Sequence, residues 1–224
     1  MDDLAPSLGG QRALVAGALP IAEPEVLSEE TVDPDPFVQF ATWFDEARAA
    51  GEVLPEAMTL ATSTTDGRPS ARMVLLRGVD QRGFGFYTNY ASQKGRELAE
   101  NPLAALVLYW SKLGRQVRIT GEVVKQAADE SSAYFHSRPA ASQLSAWVSQ
   151  ESEAVASRGA LEEGMSALGR RYAGQEVPLP PNWGGYRVLP STIEFWLHRD
   201  SRLHDRLRYT RRGLAGWVIE RLSP

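Results

Sequence analysis

The stretch Met58-Thr-Leu-Ala-Thr-Ser-Thr-Thr-Asp-Gly-Arg-Pro-Ser-Ala-Arg-Met-Val-Leu-Leu-Arg-Gly-Val79 decides the fold. Two strand-like runs, Met58–Thr64 and Arg72–Val79, flank Asp66-Gly67-Arg68-Pro69, whose residues suit a tight turn. Working outward, Phe84–Asn89 follows a second turn at Gln81-Arg82-Gly83. The continuous apolar run Leu103–Trp110 reads as a buried strand, and Gln116–Val124 alternates, with Val117, Ile119 and Val123 on one side. Ser191–His198, Arg202–Thr210 and Gly216–Leu222 supply three more strands. Helical spacing predicts a helix over Phe37–Ala50 with Phe37, Phe40, Ala41 and Phe44 on one face. Ser92 is placed to cap a helix running to about Glu100 and stopped before Pro102. Several helices fit between Asp129 and Ala173, interrupted at Phe135-His-Ser-Arg-Pro139. Six or more strands, with helices that do not alternate regularly with them, predict an antiparallel barrel with attached helices rather than a doubly wound sheet.

The chain has 224 residues and a net charge of −4, which does not suggest a general polyanion binder. Residues 1–36 hold eight acidic residues, one basic residue and several prolines, and are expected to form a flexible arm ahead of a single domain over 37–224. With no cysteine there are no disulfides and no thiolate chemistry, which suits a reducing cytoplasm. His136, His198 and His204 are too scattered for an obvious zinc site, so no metal is expected. The longest apolar run has eight residues, far short of the roughly twenty that span a bilayer, so no membrane partner is expected. Of 24 basic residues 21 are arginine, which is either a genomic codon bias or a set of forks for phosphate and carboxylate.

Position begins to separate these two readings. Arg72 and Arg77 bracket an apolar strand body, Tyr87-Thr88 ends the next strand, and Ser92 and Lys94 lie at a helix start, where free amides and cations favour anions. Tyr134, Arg138 and Ser142, at steps of four, share one helix face if the helix runs through Pro139. Arg202, His204 and Arg206 share one face if they lie on a strand, where two guanidiniums beside an imidazole repel unless something anionic or electron-rich lies between them. For each set, solvated surface charge is the alternative. No glycine-rich dinucleotide loop, phosphate loop or serine-hydrolase elbow is present.

The ordered motifs Arg72-Met-Val-Leu-Leu, Phe86-Tyr-Thr-Asn, Ser92-Gln-Lys-Gly, Arg115-Gln-Val-Arg, Tyr134-Phe-His-Ser-Arg-Pro, Trp183-Gly-Gly-Tyr-Arg, Glu194-Phe-Trp and Arg202-Leu-His-Asp-Arg resemble pyridoxine/pyridoxamine 5′-phosphate oxidases from about Asp35 onward. The resemblance implies a homodimeric Greek-key split β-barrel with FMN at the subunit interface. It implies a flavin site of Arg72, Met73, Val74, Leu75, Leu76, Arg77, Tyr87, Thr88, Gln93, Lys94, Gln116, Glu151, Ser152, Trp196 and Arg206, with Arg72 and Lys94 on the flavin phosphate. Tyr134, Arg138, Ser142 and Arg77 are implied on the substrate, with Arg202 and His204 over its ring as the catalytic pair.

Departures from the family pattern cluster on the substrate side. Arg77 replaces a usual lysine, Glu151 a flavin-contacting glutamine, Gln93 a frequent basic residue, Leu197-His198 a Gln-Gly pair and Leu54 an acidic residue. The family's N-terminal Arg-Arg-Glu-Tyr segment has no counterpart in residues 1–36. The expected function is oxidation of pyridoxine or pyridoxamine 5′-phosphate to pyridoxal 5′-phosphate, with O2 as acceptor and H2O2 as product. The alternatives are a phenazine-biosynthesis-type oxidase of a reduced aromatic carboxylate, or a flavin- or pyridoxal-phosphate-binding protein with little catalysis. Nucleic acid is not expected as a partner, because the arginines gather into small sets rather than one stripe with aromatic platforms.

Overall fold

The hairpin that decides the fold forms in register, β1 (Ala57–Ser63) against β2 (Pro69–Leu75), with Ala57 opposite Leu75 and Ser63 opposite Pro69. The computed structural model describes residues 26–213 and 216–224. The run expected over Arg72–Val79 is not one strand. The Leu76 N–H bonds back to Glu56 O at 2.8 Å, but the Arg77 N–H bonds to Gly85 O at 2.8 Å. The chain thus changes partner between them, and β3 (Gly78–Asp80) pairs with β4 (Gly83–Asn89) instead.

The remaining strands are β5 (Leu103–Trp110), β6 (Arg115–Lys125), β7 (Trp183–Leu197), β8 (Asp205–Arg211) and β9 (Trp217–Arg221). All pairings are antiparallel, in the order β2-β1-β5-β6-β7-β4-β3, with β8 on β7 and β9 on β8. β7 is the hinge of this curled sheet: its first half pairs with β4, its second half with β8, and β6 lies along its length. It begins eight residues before the strand expected over Ser191–His198. The β6/β7 register shifts at Thr120/Gly121, leaving Ser191 as the extra residue, so Pro190 sits at a bulge where proline is tolerated.

α1 (Pro36–Ala49) starts at an Asp35 cap, whose carboxylate accepts the Phe37 N–H at 2.9 Å. It buries Phe37, Phe40, Trp43 and Ala47; Ala41, expected on that face, is exposed. Phe40 packs edge-on against Phe84 at 5.0 Å and Trp43 against Phe195 at 5.1 Å, so α1 closes one end of the core. β5 alternates rather than burying both faces. Leu106, Leu108 and Trp110 fill the core, while Leu103 and Tyr109 on the other face are 59% and 58% exposed in the protomer. Each of those core side chains contributes roughly 1.5–3 kcal/mol by burial.

The other helices are α2 (Gln93–Glu100), α3 (Ala128–Ser137), α4 (Ala140–Val148) and α5 (Arg158–Arg171). Residues 26–36, the end of the segment expected to form the arm, pack on the sheet. Leu27 and Val32 are buried, Tyr209 Oη donates to Asp33 O at 2.7 Å, and Arg221 holds Glu29 at 2.7 Å and Leu27 O at 2.9 Å. The rest of that segment lies outside the described residues. Among the described residues no helix is long and apolar enough to cross a membrane.

Candidate active site

β2, β4, α2 and the α3–α4 junction converge on a cavity of about 480 Å³. Its β2 wall is Arg72, Met73, Val74 and Leu75, followed by Arg77. Lys94, Glu151, Tyr87, Tyr134, Arg138, Ser142 and Trp183 complete the lining. Two cation sets read separately from the sequence therefore open onto one space.

Arg72 projects from mid-strand and is held in place. Nη1 donates to Thr62 Oγ1 at 2.5 Å and Leu60 O at 3.3 Å, and Nη2 to Ser70 Oγ at 2.6 Å, with Glu97 Oε2 at 3.3 Å. Glu97 is only 5% exposed. Burial alone would raise its pKa, but hydrogen bonds from Ser70, Thr62 and Gln93, with Arg72 beside it, hold the carboxyl down to about 2. Glu97 holds the Arg72 guanidinium in position, a role the sequence reading missed; across 25 residues of chain no local pattern signals it.

Lys94 sits one residue inside α2, whose cap Ser92 accepts the Gly95 N–H at 3.3 Å. Its Nζ lies 3.1 Å from Thr88 Oγ1 and 2.8 Å from Glu151 Oε2, and Thr88 donates to the same carboxylate at 3.0 Å. Gly95 lets the helix approach the Tyr90 carbonyl, which a Cβ would overlap. Ser152 Oγ accepts the Gln93 N–H at 3.2 Å. Gln93 turns its side chain to Glu97 at 2.9 Å, away from the cavity, and Leu76 lies in the core, so neither side chain of these two expected flavin contacts faces the space.

Tyr134, Arg138 and Ser142 do not share one helix face. α3 ends at Ser137, Arg138 adopts extended backbone before Pro139, and α4 starts after it. Gln143 Nε2 donates to the freed carbonyls of His136 (3.3 Å) and Arg138 (2.7 Å), which stabilises the break. The break still delivers all three side chains to the cavity. Tyr87, Tyr134 and Trp183 form a near-parallel stack, with Tyr87–Tyr134 centroids 3.9 Å apart and Tyr87–Trp183 5.4 Å. The Arg138 guanidinium lies 4.8 Å over Trp183. Its Nη1 is buried with no hydrogen-bond partner. Burial lowers the Arg138 pKa, opposed by Tyr134 and reinforced by Arg77. A buried, unpaired guanidinium donor in a polar cavity is built for an anion.

The second group lies elsewhere. Gln116 on β6, Trp196 on β7 and Arg206 on β8 are cross-strand neighbours in one row. Glu194 accepts from Arg206 Nε at 2.8 Å. Arg202, His204 and Arg206 do not lie on one strand as expected: β8 begins only at Asp205, and Arg202 (φ 62°) and His204 belong to the preceding turn. The turn places the His204 ring 4.6 Å from Trp196 and 5.2 Å from His198. His204 Nδ1 accepts the Arg199 N–H at 3.0 Å, which puts the proton of the neutral ring on Nε2. Burial first, then His198 and Arg202, push the His204 pKa down, favouring that neutral form. Trp183 and Trp196 are separated by thirteen residues of β7, roughly 40 Å of extended strand. Among the described residues no hydrogen bond or ring contact joins the two groups.

The donor chemistry fits a phosphorylated cofactor and a phosphorylated substrate together: Arg72 with Lys94, Thr88 and Ser152 for one phosphate, Arg138 with Tyr134 and Ser142 for the other. A curled antiparallel sheet with a cation-rich cavity beside its first hairpin defines a split β-barrel protein. A pyridoxamine 5′-phosphate oxidase-related FMN-binding protein of Nostoc punctiforme, 19% identical, shares the fold at a TM-score of 0.65 over 83% of this chain and 95% of its own. Residues 44–176 match the family described as pyridoxamine 5′-phosphate oxidase, and residues 183–224 match the pyridoxine 5′-phosphate oxidase C-terminal dimerisation region. The chain belongs to the pyridoxamine 5′-phosphate oxidase family. The pyridoxine/pyridoxamine 5′-phosphate oxidase of Nostoc sp. is 59% identical over 200 residues, covering 89% of this chain and 94% of the relative. That of Rubrobacter xylanophilus is 55% identical over 198 residues, with 88% and 91% covered. The crystal structure of PhzG from Burkholderia lata in complex with tetrahydrophenazine-1-carboxylic acid is similar at a TM-score of 0.84 and 34% identity, over 91% of this chain and 100% of that one.

Proposed function

We propose that the protein is a cytoplasmic, homodimeric FMN-dependent oxidase that converts pyridoxine and pyridoxamine 5′-phosphates to pyridoxal 5′-phosphate, with O2 as acceptor and H2O2 as product. One domain over 37–224, preceded by the acidic segment 1–36, carries the activity. The observation that carries the reading is Arg138: a buried guanidinium donor without a partner, beside Tyr134 and Ser142, in the same cavity as the Arg72/Lys94 pair. Two separate phosphate grips in one space suit a phosphorylated cofactor next to a phosphorylated substrate.

Arg72 and Lys94 would hold the cofactor phosphate, with Thr88 and Ser152 as neutral donors, and the backbone from Met73 on β2 to Leu76 just past it would border the flavin. Tyr134, Arg138 and Ser142 would hold the substrate phosphate and so orient the ring in the cavity. The other half-site comes from the second copy. Gln116, Trp196 and Arg206 of the partner subunit border the flavin, and the partner subunit's Arg202 and His204 cover the substrate ring. His204 Nε2–H then donates to a ring oxygen rather than removing a proton, because Nδ1 is already engaged by the Arg199 N–H. FMN, when bound there, would supply the two-electron chemistry that links oxidation at C4′ to O2.

The second reading, a phenazine-type oxidase, is favoured by the similarity to PhzG and by the Arg77 and Glu151 departures. The phosphate grip around Arg138 and the 59% identity to a named B6-phosphate oxidase favour the first. Turnover assays of the purified dimer with both phosphates and a reduced phenazine carboxylate separate the two. Turnover of the carboxylate alone would overturn the first reading.

A further inference from the structure

The loop after α4 carries Glu151, Ser152 and Glu153, and all three are fastened to the first turns of α2. Ser152 Oγ accepts the Gln93 N–H at 3.2 Å, Glu153 pairs with Arg96 at 2.9 Å, and Glu151 pairs with Lys94 at 2.8 Å. Ser152 adopts a left-handed backbone (φ 73°), a conformation that costs a non-glycine residue free energy and persists only where neighbours impose it. Glu151 is therefore aimed, not wandering. Its Oε2 receives both Lys94 Nζ and the Thr88 hydroxyl (3.0 Å), in a cavity that otherwise presents cations.

We propose, on the flavin reading above, that Glu151 is a resident counter-anion of Lys94 that the flavin 5′-phosphate has to displace. Carboxylate and phosphate claim the same two donors, and two anions cannot share Lys94 and Thr88 without repulsion. The carboxylate accepts but does not donate when ionised, so it offers the phosphate nothing in return. An amide at this position keeps the size, releases Lys94 and adds a donor. Glu151 thus narrows the preference for FMN over riboflavin, whose ribityl end carries no charge and does not compete. It also keeps Lys94 paired when no phosphate is present, which limits the cost of a partly buried ammonium.

The test is fluorescence titration of the full-length wild-type chain, Glu151→Gln and Glu153→Gln with FMN and with riboflavin, from flavin-stripped protein. The expected result is a Kd(riboflavin)/Kd(FMN) ratio about tenfold or more higher in Glu151→Gln than in wild type, as for relief of a partly desolvated like-charge contact. Riboflavin affinity stays constant, which reports an intact fold. Glu153→Gln, which removes the same charge two residues away, leaves the ratio at the wild-type value. An unchanged or lowered ratio in Glu151→Gln overturns the proposal, as does an equal rise in Glu153→Gln, which would make the effect one of net charge. Failure of all three chains to bind either flavin defeats the flavin reading itself, and the proposal with it.

Discussion

Replacing Arg138 with methionine separates a ligand-binding arginine from a structural one. In the protomer Arg138 Nη1 is buried without a partner, and the guanidinium rests over Trp183 at 4.8 Å. Methionine keeps a long side chain on that ring, so the loss on folding is a cation–π contact of about 0.5–2 kcal/mol. Against it stands relief from burying an unsatisfied donor, about 1–3 kcal/mol. The two nearly cancel, and Arg138→Met is expected to melt within about 1 kcal/mol of wild type. Substrate binding does not cancel. A charge-assisted bond to phosphate contributes about 1.5–3 kcal/mol, so KM for pyridoxamine 5′-phosphate rises roughly 10- to 150-fold. Steady-state kinetics with phosphorylated and unphosphorylated pyridoxamine, run beside thermal melts, read both quantities. KM for the unphosphorylated amine moves little, since it has no group for Arg138 to hold. Loss of stability by several kcal/mol with KM for the phosphate unchanged would refute the reasoning and return Arg138 to a purely structural role.

Three further predictions concern the supports of the site. The Glu97 carboxyl is held down to about 2 in the fold against an ordinary 4.5, so its ionised form stabilises the protein above the ordinary value; that contribution, about 3 kcal/mol, is lost as pH falls through 4.5 toward 2, and urea melts of Glu97→Gln are expected to lack that part of the wild-type slope. His198→Asn removes one of the groups that, after burial, depress His204; NMR titration is expected to show the His204 pKa rising toward its ordinary value and the acid limb of activity moving to higher pH, whereas an unmoved or lowered pKa contradicts the assigned neighbour effect. Gly95→Ala drives a Cβ into the Tyr90 carbonyl, so thermal melts are expected to show destabilisation of about 1–3 kcal/mol, with weaker flavin retention as Lys94 shifts.

Local signals carried much of this in the sequence. The Asp66-Gly67 turn, the Ser92 cap and the apolar run Leu103–Trp110 each rest on residues adjacent in the chain, and the structure forms those elements where the pattern placed them. Strand boundaries failed where partner exchange, not propensity, ends a strand. Nothing in Leu76-Arg77 announces the switch from Glu56 to Gly85. The early start of β7 depends on β4 pairing with its first half and on a β6 bulge opposite Pro190, neither of which is a local signal. Tyr134, Arg138 and Ser142, the proposed phosphate grip, stood out in the sequence by their four-residue steps, but the phosphate role came from the family resemblance and not from the spacing. Their geometry was not legible: Pro139 splits the helix that the four-residue steps suggested, and Arg202 and His204 leave the strand for a turn with left-handed backbone. The supports Glu97, Thr62 and Trp183 were missed because they meet the site only through tertiary packing.

The central claim is that one active site is assembled from opposite ends of two chains, the cavity of one protomer and the Trp196–Arg206 half-site of the other. Mixed dimers of Arg138→Met and Arg202→Ala, unfolded together and refolded, test it most directly. If the two residues serve a site from different protomers, every heterodimer has one intact site, and a random mixture, assayed with substrate well below the wild-type KM, is expected to recover about a quarter of wild-type oxidase activity from two nearly inactive parents. Recovery of no activity above the parents, with heterodimers shown to have formed, would mean that both residues serve the site from the same chain and would contradict the account.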